Sequence, residues 1–154
     1  MFHNGEYKVF RWDTHVQSDP DLTQYRYPES LKAGDGFWIK SYYNDLPYSY
    51  TGPITDSSQD YVMPVYLGWN QIGTPFNRNY PWGQIQVKDG GTTYDLTTAA
   101  NLGLISITIN SYDYMNKSWV QNDIAAQMPP ETGYMLKAYK DLNLVFPPGA
   151  GTSN

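Results

Sequence analysis

The chain has no cysteine among its 154 residues and only two histidines, His3 and His15. The first absence removes disulfides, thiolate nucleophiles and cysteine-ligated metals together. The second leaves few groups for base catalysis near neutral pH. Basic residues are sparse too: Lys and Arg total 10 against 15 acidic residues, for a net charge of −5. A nucleic-acid partner needs a basic face to displace counterions, so that class is excluded. No apolar run reaches the roughly 18 residues of a membrane-spanning helix, so no membrane insertion is expected. The opening residues, MFHNGEYKVFRW, have neither the basic start nor the apolar stretch of a signal peptide. The G-x-S-x-G nucleophile motif and the phosphate-binding glycine loop do not occur.

What is present in excess is aromatic. Tyr, Trp and Phe make up 16% of the chain, as much as all charged residues together, and 15 of them are tyrosines. Such side chains fit a pleated, half-buried surface. With 13 Gly and 11 Pro to punctuate it, the chain reads as many short strands and few helices. The expectation is a mainly β fold of antiparallel, sandwich-like or barrel-like sheets with one short helix. That helix is read over 95–103, with Asp95 as N-cap and Gly103 as the left-handed C-terminal residue.

The sequence also repeats itself. Aligning LKAGDGFWIKSYYNDL with MPPETGYMLKAYKDL, with one residue skipped, places Gly36 on Gly133, Phe37 on Tyr134, Ile39 on Leu136 and Lys40 on Lys137. Tyr42 then meets Tyr139, Asp45 meets Asp141 and Leu46 meets Leu142. Upstream, VFRWD at 9–13 matches INSYD at 109–113. The spacing from the shared Asp to the shared Gly is 23 residues in one copy and 20 in the other, a difference that a loop absorbs. Each copy is read as a strand, a polar loop, a turn and a β-hairpin. The second hairpin runs from Tyr134–Ala138 through Lys140-Asp141 into Leu142–Phe146. The organisation expected is a partial first repeat over 1–52, a linker over 53–60, a complete second repeat over 61–148 and a tail over 149–154, fused into one unit. The second repeat alone carries a front portion, YVMPVYLGWNQIGTPF, with Trp69 and Ile72 expected in the core. The first copy would borrow its missing strands from the second or from a neighbour, and strand-exchanged homo-oligomers are one consequence.

The order Gly68-Trp69-Asn70-x-Ile72-Gly73-x-Pro75-Phe76, a lone Trp82, an alanine-bearing helix ending Leu102-Gly103, an aromatic-Asp strand with Trp119, and Pro130-x-x-Gly133-Tyr134 resembles a known module family. Its members open on GWN-x-[IL]-G-x-P, close on PG-x-G-[YF]-W, and recur in large secreted and cell-surface bacterial proteins. The resemblance covers 61–148 well and 7–50 in part. It implies an extracellular or cell-surface location within a larger exported protein, and it brings no catalytic residue. Two positions depart from the pattern: Glu131 stands where the family has Gly, and Met135 where it has Trp.

Candidate chemistry is thin. His3 and His15 with Asp13 or Glu6 could form a two-histidine metal site. Asp13, Asp19 and Asp21 fall within nine residues, a density suited to calcium, although the spacing is not that of an EF-hand. Asp13, Asp35, Asp45, Asp113 and Asp141 are the carboxylates a glycosidase could use. Asp13 with Asp113, and Asp45 with Asp141, recur in both copies at strand ends, where Asp commonly caps backbone N–H groups. No cofactor other than calcium is indicated. The aromatic surplus is the feature best suited to a ligand: Tyr25, Tyr27, Trp38, Tyr42, Tyr43, Tyr48, Tyr80 and Trp82 are candidates for stacking on a polysaccharide or on another protein module. Trp12, Trp69 and Trp119 are assigned to the core. A non-catalytic structural or adhesive role is expected, with carbohydrate binding and a small carboxylate hydrolase as the alternatives.

Overall fold

The computed structural model describes residues 7–16, 25–42 and 55–149. Tyr43, Tyr48, Asp19, Asp21, Asp45 and His3 lie outside them. The strands are β1 (Tyr7–Trp12), β2 (Tyr25–Arg26), β3 (Trp38–Ser41), β4 (Tyr61–Val65), β5 (Gly68–Ile72), β6 (Tyr80–Pro81), β7 (Gln86–Asp89), β8 (Thr92–Asp95), β9 (Ile109–Asp113), β10 (Ser118–Asn122), β11 (Gln127–Met128), β12 (Tyr134–Ala138) and β13 (Leu142–Phe146). One helix, α1 (Leu96–Asn101), interrupts them. All strand pairs are antiparallel. The fold is therefore mainly β and sandwich-like, as the composition implies.

Two four-stranded sheets enclose the core, one in the order β10-β9-β12-β5 and the other β4-β13-β7-β8. Alternation along the strands supplies its walls. Ile72, Ile109, Tyr134, Leu136 and Ala138 face inward from the first sheet, and Met63, Val65, Val87, Leu142, Leu144 and Phe146 from the second. Leu96 and Ala99 of α1 close one side. The helix starts where Asp95 accepts the Thr98 N–H at 2.8 Å, and it ends before Gly103 at φ +70°. Between β7 and β8, Gly90 at φ +58° makes the tight turn that joins them.

The chain passes between the two layers at a shared corner. β4 turns into β5 and β12 turns into β13, and both pairs of segments run side by side: Val65 opposes Leu142 before the bend, and Gly68 opposes Ala138 after it. Two residues on one strand face three on the other, which bends the ladder as a bulge does. The expected hairpin of β12 on β13 does not form, because the alternate residues of β13 are needed in the opposite layer, where it lies between β4 and β7. The residues of the GWN segment make the corner. Gly68 adopts φ +110°, Asn70 Oδ1 accepts the Tyr66 N–H at 2.9 Å, and Asn70 Nδ2 donates to the carbonyls of Tyr66 and Gly68 at 2.7 and 3.1 Å. Asp141 accepts the Leu67 N–H at 2.9 Å from the other strand of the corner.

A third sheet, β2-β1-β3, is built from the first copy. Its pairing reproduces that of the second. Phe10 opposes Trp38 in β1 and β3, and Asn110 opposes Met135 in β9 and β12, which are the same positions under the repeat alignment. On the other side, Trp12 opposes Tyr25 and Tyr112 opposes Trp119. Each of these is an edge-to-face ring pair, at 5.0 Å and 73° in one copy and 5.4 Å and 72° in the other. The strand orders β2-β1-β3 and β10-β9-β12 are thus one motif used twice. The turn before the third strand matches as well: Gly34 has φ +80°, and Glu131, its repeat equivalent, has φ +64°.

Tyr80 and Trp82 are core residues, correcting their assignment to a ligand surface. Neither has any exposed area. The two-residue β6 and the single 3-10 turn after it aim both rings inward, where Trp82 Nε1 donates to the Ile107 carbonyl at 2.7 Å and Tyr80 Oη to that of Pro147 at 3.1 Å. Trp69 and Trp119 are corrected in the opposite direction, being 37% and 50% exposed. In a strand, Trp69 and Ile72 must point to opposite faces, and Ile72 holds the inner one.

Two outcomes follow from this packing. Glutamate in the left-handed region costs about 1–2 kcal/mol, partly offset by the roughly 0.5–1 kcal/mol that glycine loses on folding. Glu131→Gly is therefore expected to stabilise the chain by up to about 1 kcal/mol in urea unfolding, and a loss of stability would contradict the strain. Burial pushes the Tyr80 phenol up to about 12 and raises Tyr25, Tyr61 and Tyr134 in the same direction. The unfolded chain gives up these protons near the ordinary value of about 10. Stability should be complete below that pH and fall as pH climbs toward about 12. Unfolding midpoints taken across this window should show the decline, with a smaller decline in Tyr80→Phe; a flat profile would count against it.

Candidate functional site

The face of the first sandwich sheet that points away from the core carries Trp69 and Gln71 from β5, Met135 and Lys137 from β12, and Tyr112 and Trp119 from β9 and β10. They alternate with the inward-facing residues or pair with those that do. The first copy is fastened here. Trp12 donates its backbone N–H to Gln71 Oε1 and its indole N–H to the Trp69 carbonyl, both at 2.8 Å. Thr14 Oγ1 reaches the same carbonyl at 2.9 Å. Gly73 N–H donates to the Gly34 carbonyl at 2.8 Å, and Tyr61 Oη donates to that of Ala33 at 2.6 Å. Gln71 is 6% exposed although it faces outward, and its side-chain carbonyl is satisfied by Trp12.

Two features allow this approach. Gly36 lies so close to β5 that a Cβ there would sit 2.7–2.9 Å from Gln71 Cγ and from the backbone N and O of Ile72. Trp38 packs edge-to-face against Tyr112, Trp119 and Tyr114 at centroid distances of 5.4, 5.7 and 6.2 Å. Among the described residues the buried Trp38 indole N–H has no hydrogen-bond partner. The ring planes of Trp38, Tyr112 and Trp119 meet at 72–85°, so no two of them form a flat stacking surface.

The remaining candidate rings are dispersed. Tyr27, 48% exposed, stacks on Phe10 at 5.0 Å, and Tyr25 stands edge-on to Trp12. Tyr42, half exposed, has Lys8 and Lys40 ammonium groups 5.9 and 5.7 Å from its ring centre. Trp69, Tyr112, Tyr114 and Trp119 were not among the expected surface rings. The signal for Trp119 was available: its strand, SWVQN, has polar residues at alternate positions on both faces.

The candidate carboxylates are occupied in turns and ion pairs. Asp13 accepts the His15 N–H at 3.0 Å and pairs with Arg26 at 3.2 Å. Its repeat partner Asp113 accepts the N–H groups of Met115 and Asn116, and the Asn116 side-chain amide, followed by its backbone N–H, holds the carboxyl below the usual range. Asp35 pairs with Arg11 at 2.7 Å and accepts the Lys32 N–H. The His15 ring lies 4.4 Å from that of Tyr66. Among the described residues no three His, Asp or Glu side chains converge as a metal site would require. No helix of the described residues is long and apolar enough to cross a membrane. A shallow depression of about 500 Å³ at the end of α1 is lined by Ala100, Asn101, Gly103, Ile105, Ile107 and Tyr139, which include no carboxylate or imidazole.

No family model, curated protein or solved structure matches the chain.

The seam between the copies should respond to two substitutions differently. Gly36→Ala forces a Cβ into the β5 backbone and is expected to detach the first copy, seen as loss of amide-exchange protection in β1 and β3 while β12 and β13 stay protected. Trp38→Ala should cost about 3 kcal/mol and increase Trp119 exposure to quenchers. Unchanged protection in Gly36→Ala would show that the seam does not depend on this close approach.

Proposed function

We propose that the chain is a non-catalytic structural or adhesive module of an extracellular or cell-surface protein. The observation that carries this reading is the use made of its reactive groups: Asp13, Asp35, Asp113 and Asp141 cap turns or pair with arginines, and the duplicated rings of Trp12, Tyr25, Tyr112 and Trp119 fasten sheets. A duplicated carboxylate with the same backbone partner in each copy is explained by the fold. The resemblance to GWN-type modules supports the location, since those modules recur in exported proteins.

Carbohydrate binding is the second reading, favoured by Trp119 and Tyr114, which are 50% and 66% exposed at one end of the seam. A single exposed ring can stack on a sugar face even where its neighbours are perpendicular.

The expected result is no turnover of chromogenic glycosides, esters or peptides above the buffer rate, and no retention on insoluble polysaccharides. Asp141→Ala should lower stability by roughly 0.5–1.5 kcal/mol through loss of its bond from the Leu67 N–H, and Asp113→Ala should lower it as well. Glycoside cleavage abolished by an Asp substitution that leaves stability intact would defeat the first reading. Retention on a glycan that disappears in Trp119→Ala would select the second.

A further inference from the structure

The two sandwich sheets end on β4, β8, β5 and β10. The first three are blunted. β4 carries Pro64, β8 is four residues long and ends at the charged Asp95, and β5 receives the first copy, where the Gly36 N–H meets the Gln71 carbonyl. β10 has no such protection. Its five residues, Ser118–Asn122, include neither a charge nor a proline, and they pair with β9 rung by rung without a bulge. On its other side no described strand lies beside it, and no backbone bond from a described residue reaches it. Ser118, Trp119, Val120 and Gln121 are all exposed. The polar side chains bond back toward β9 and the segment before it, Gln121 to Thr108 and Asn122 to Ile109 and Ser111.

We propose that this edge pairs with the β10 edge of a second copy of the chain, antiparallel and about a two-fold axis at Val120. Charge sets the register. Lys117 and Asp123 stand just beyond the two ends of the strand, three residues to either side of Val120, and both are exposed. Among the described residues neither has an ion-pair partner. Turning a second copy about Val120 places Lys117 of each copy opposite Asp123 of the other, so both ends of the joint are complementary at once. Any other antiparallel register loses both pairs. The same register puts Val120 opposite Val120 and Trp119 opposite Gln121, with the two Trp119 rings on the diagonal, a spacing of roughly 7–8 Å that large side chains bridge. Val120 and Trp119 are 41% and 50% exposed in the single chain, so each has surface left to bury. The backbone groups of the edge supply the attraction, and the end charges choose the partner and its direction. Each copy has a net charge of −5, so a general repulsion opposes the local pairs and keeps the association weak.

This joint goes beyond the structural-module reading, and its test is independent of it, since catalytic turnover would defeat that reading without altering self-association. A five-residue edge is a small contact, so a reversible monomer–dimer equilibrium is expected between about 10 μM and 1 mM in sedimentation equilibrium of the full chain. Amide shifts that depend on concentration should centre on Trp119, Val120 and Gln121. Lys117→Asp sets Asp against Asp at both ends, and Asp123→Lys sets Lys against Lys; each should weaken the dimer by roughly three- to thirtyfold. Mixing the two variants pairs Lys with Asp again at both ends, so a heterodimer should form about as tightly as the dimer of the unaltered chain. Asp123 also accepts the Ala125 N–H, a bond that Asp123→Lys loses and the mixture does not regain, so recovery on mixing reports the charge register and not the turn. A chain that stays monomeric at about 1 mM, shifts confined to other strands, or single variants that dimerise as well as the unaltered chain would each overturn the proposal. So would a mixture no tighter than its components.

Discussion

The backbone of β5 is the constraint on which the remaining structure depends. Five residues, Gly68–Ile72, must form a ladder with β12, turn the corner from β4, send Ile72 into the core and receive the first copy. Each demand selects a residue type. The corner needs positive φ, which Gly68 supplies without a Cβ penalty. Bending the strand breaks the ladder at Tyr66, and Asn70 accepts the Tyr66 N–H and donates to the Tyr66 and Gly68 carbonyls from a side chain only 5% exposed. An unmatched polar group at that depth costs about 1–3 kcal/mol, so a carboxylate or an apolar residue could not serve. The Trp69 carbonyl then takes two donors from the first copy.

The same economy explains the aromatic surplus. A cross-strand pair of large rings contributes area and a preferred edge-to-face geometry beyond that area. The motif uses one such pair per copy, with the order exchanged: Trp12 on Tyr25 in the first, Tyr112 on Trp119 in the second. Trp38 joins the copies by packing on the second pair. Rings that interlock at near right angles gain stability but surrender the coplanar faces that a sugar-binding platform needs.

Much of this was legible in the sequence because it is local or periodic. Asp95 and Gly103 marked the short helix through backbone requirements that do not depend on tertiary contacts, and the aromatic-rich composition punctuated by Gly and Pro marked the mainly β fold. The errors fell where the third dimension decides. Tyr134–Ala138 and Leu142–Phe146 have every local mark of a hairpin, yet a strand on each side of β13 in the opposite layer satisfies its backbone better than a return to β12 does. Trp69 and Trp82 could not be sorted by hydrophobicity, since both are equally apolar. Strand phase would have sorted Trp69, but Trp82 lies in a 3-10 turn where a period of two gives no guidance.

The first copy owes its position to this division of labour. Among the described residues the main core runs from Met63 onward, and Val9 is the one strongly buried apolar residue of the first copy, outside that core. None of the first copy's described residues joins the main core cluster. Its attachment therefore rests on directional bonds to β5 and on Trp38, with Gly36 permitting the contact. Such an attachment fixes the register of the joined sheets without burying a large apolar interface.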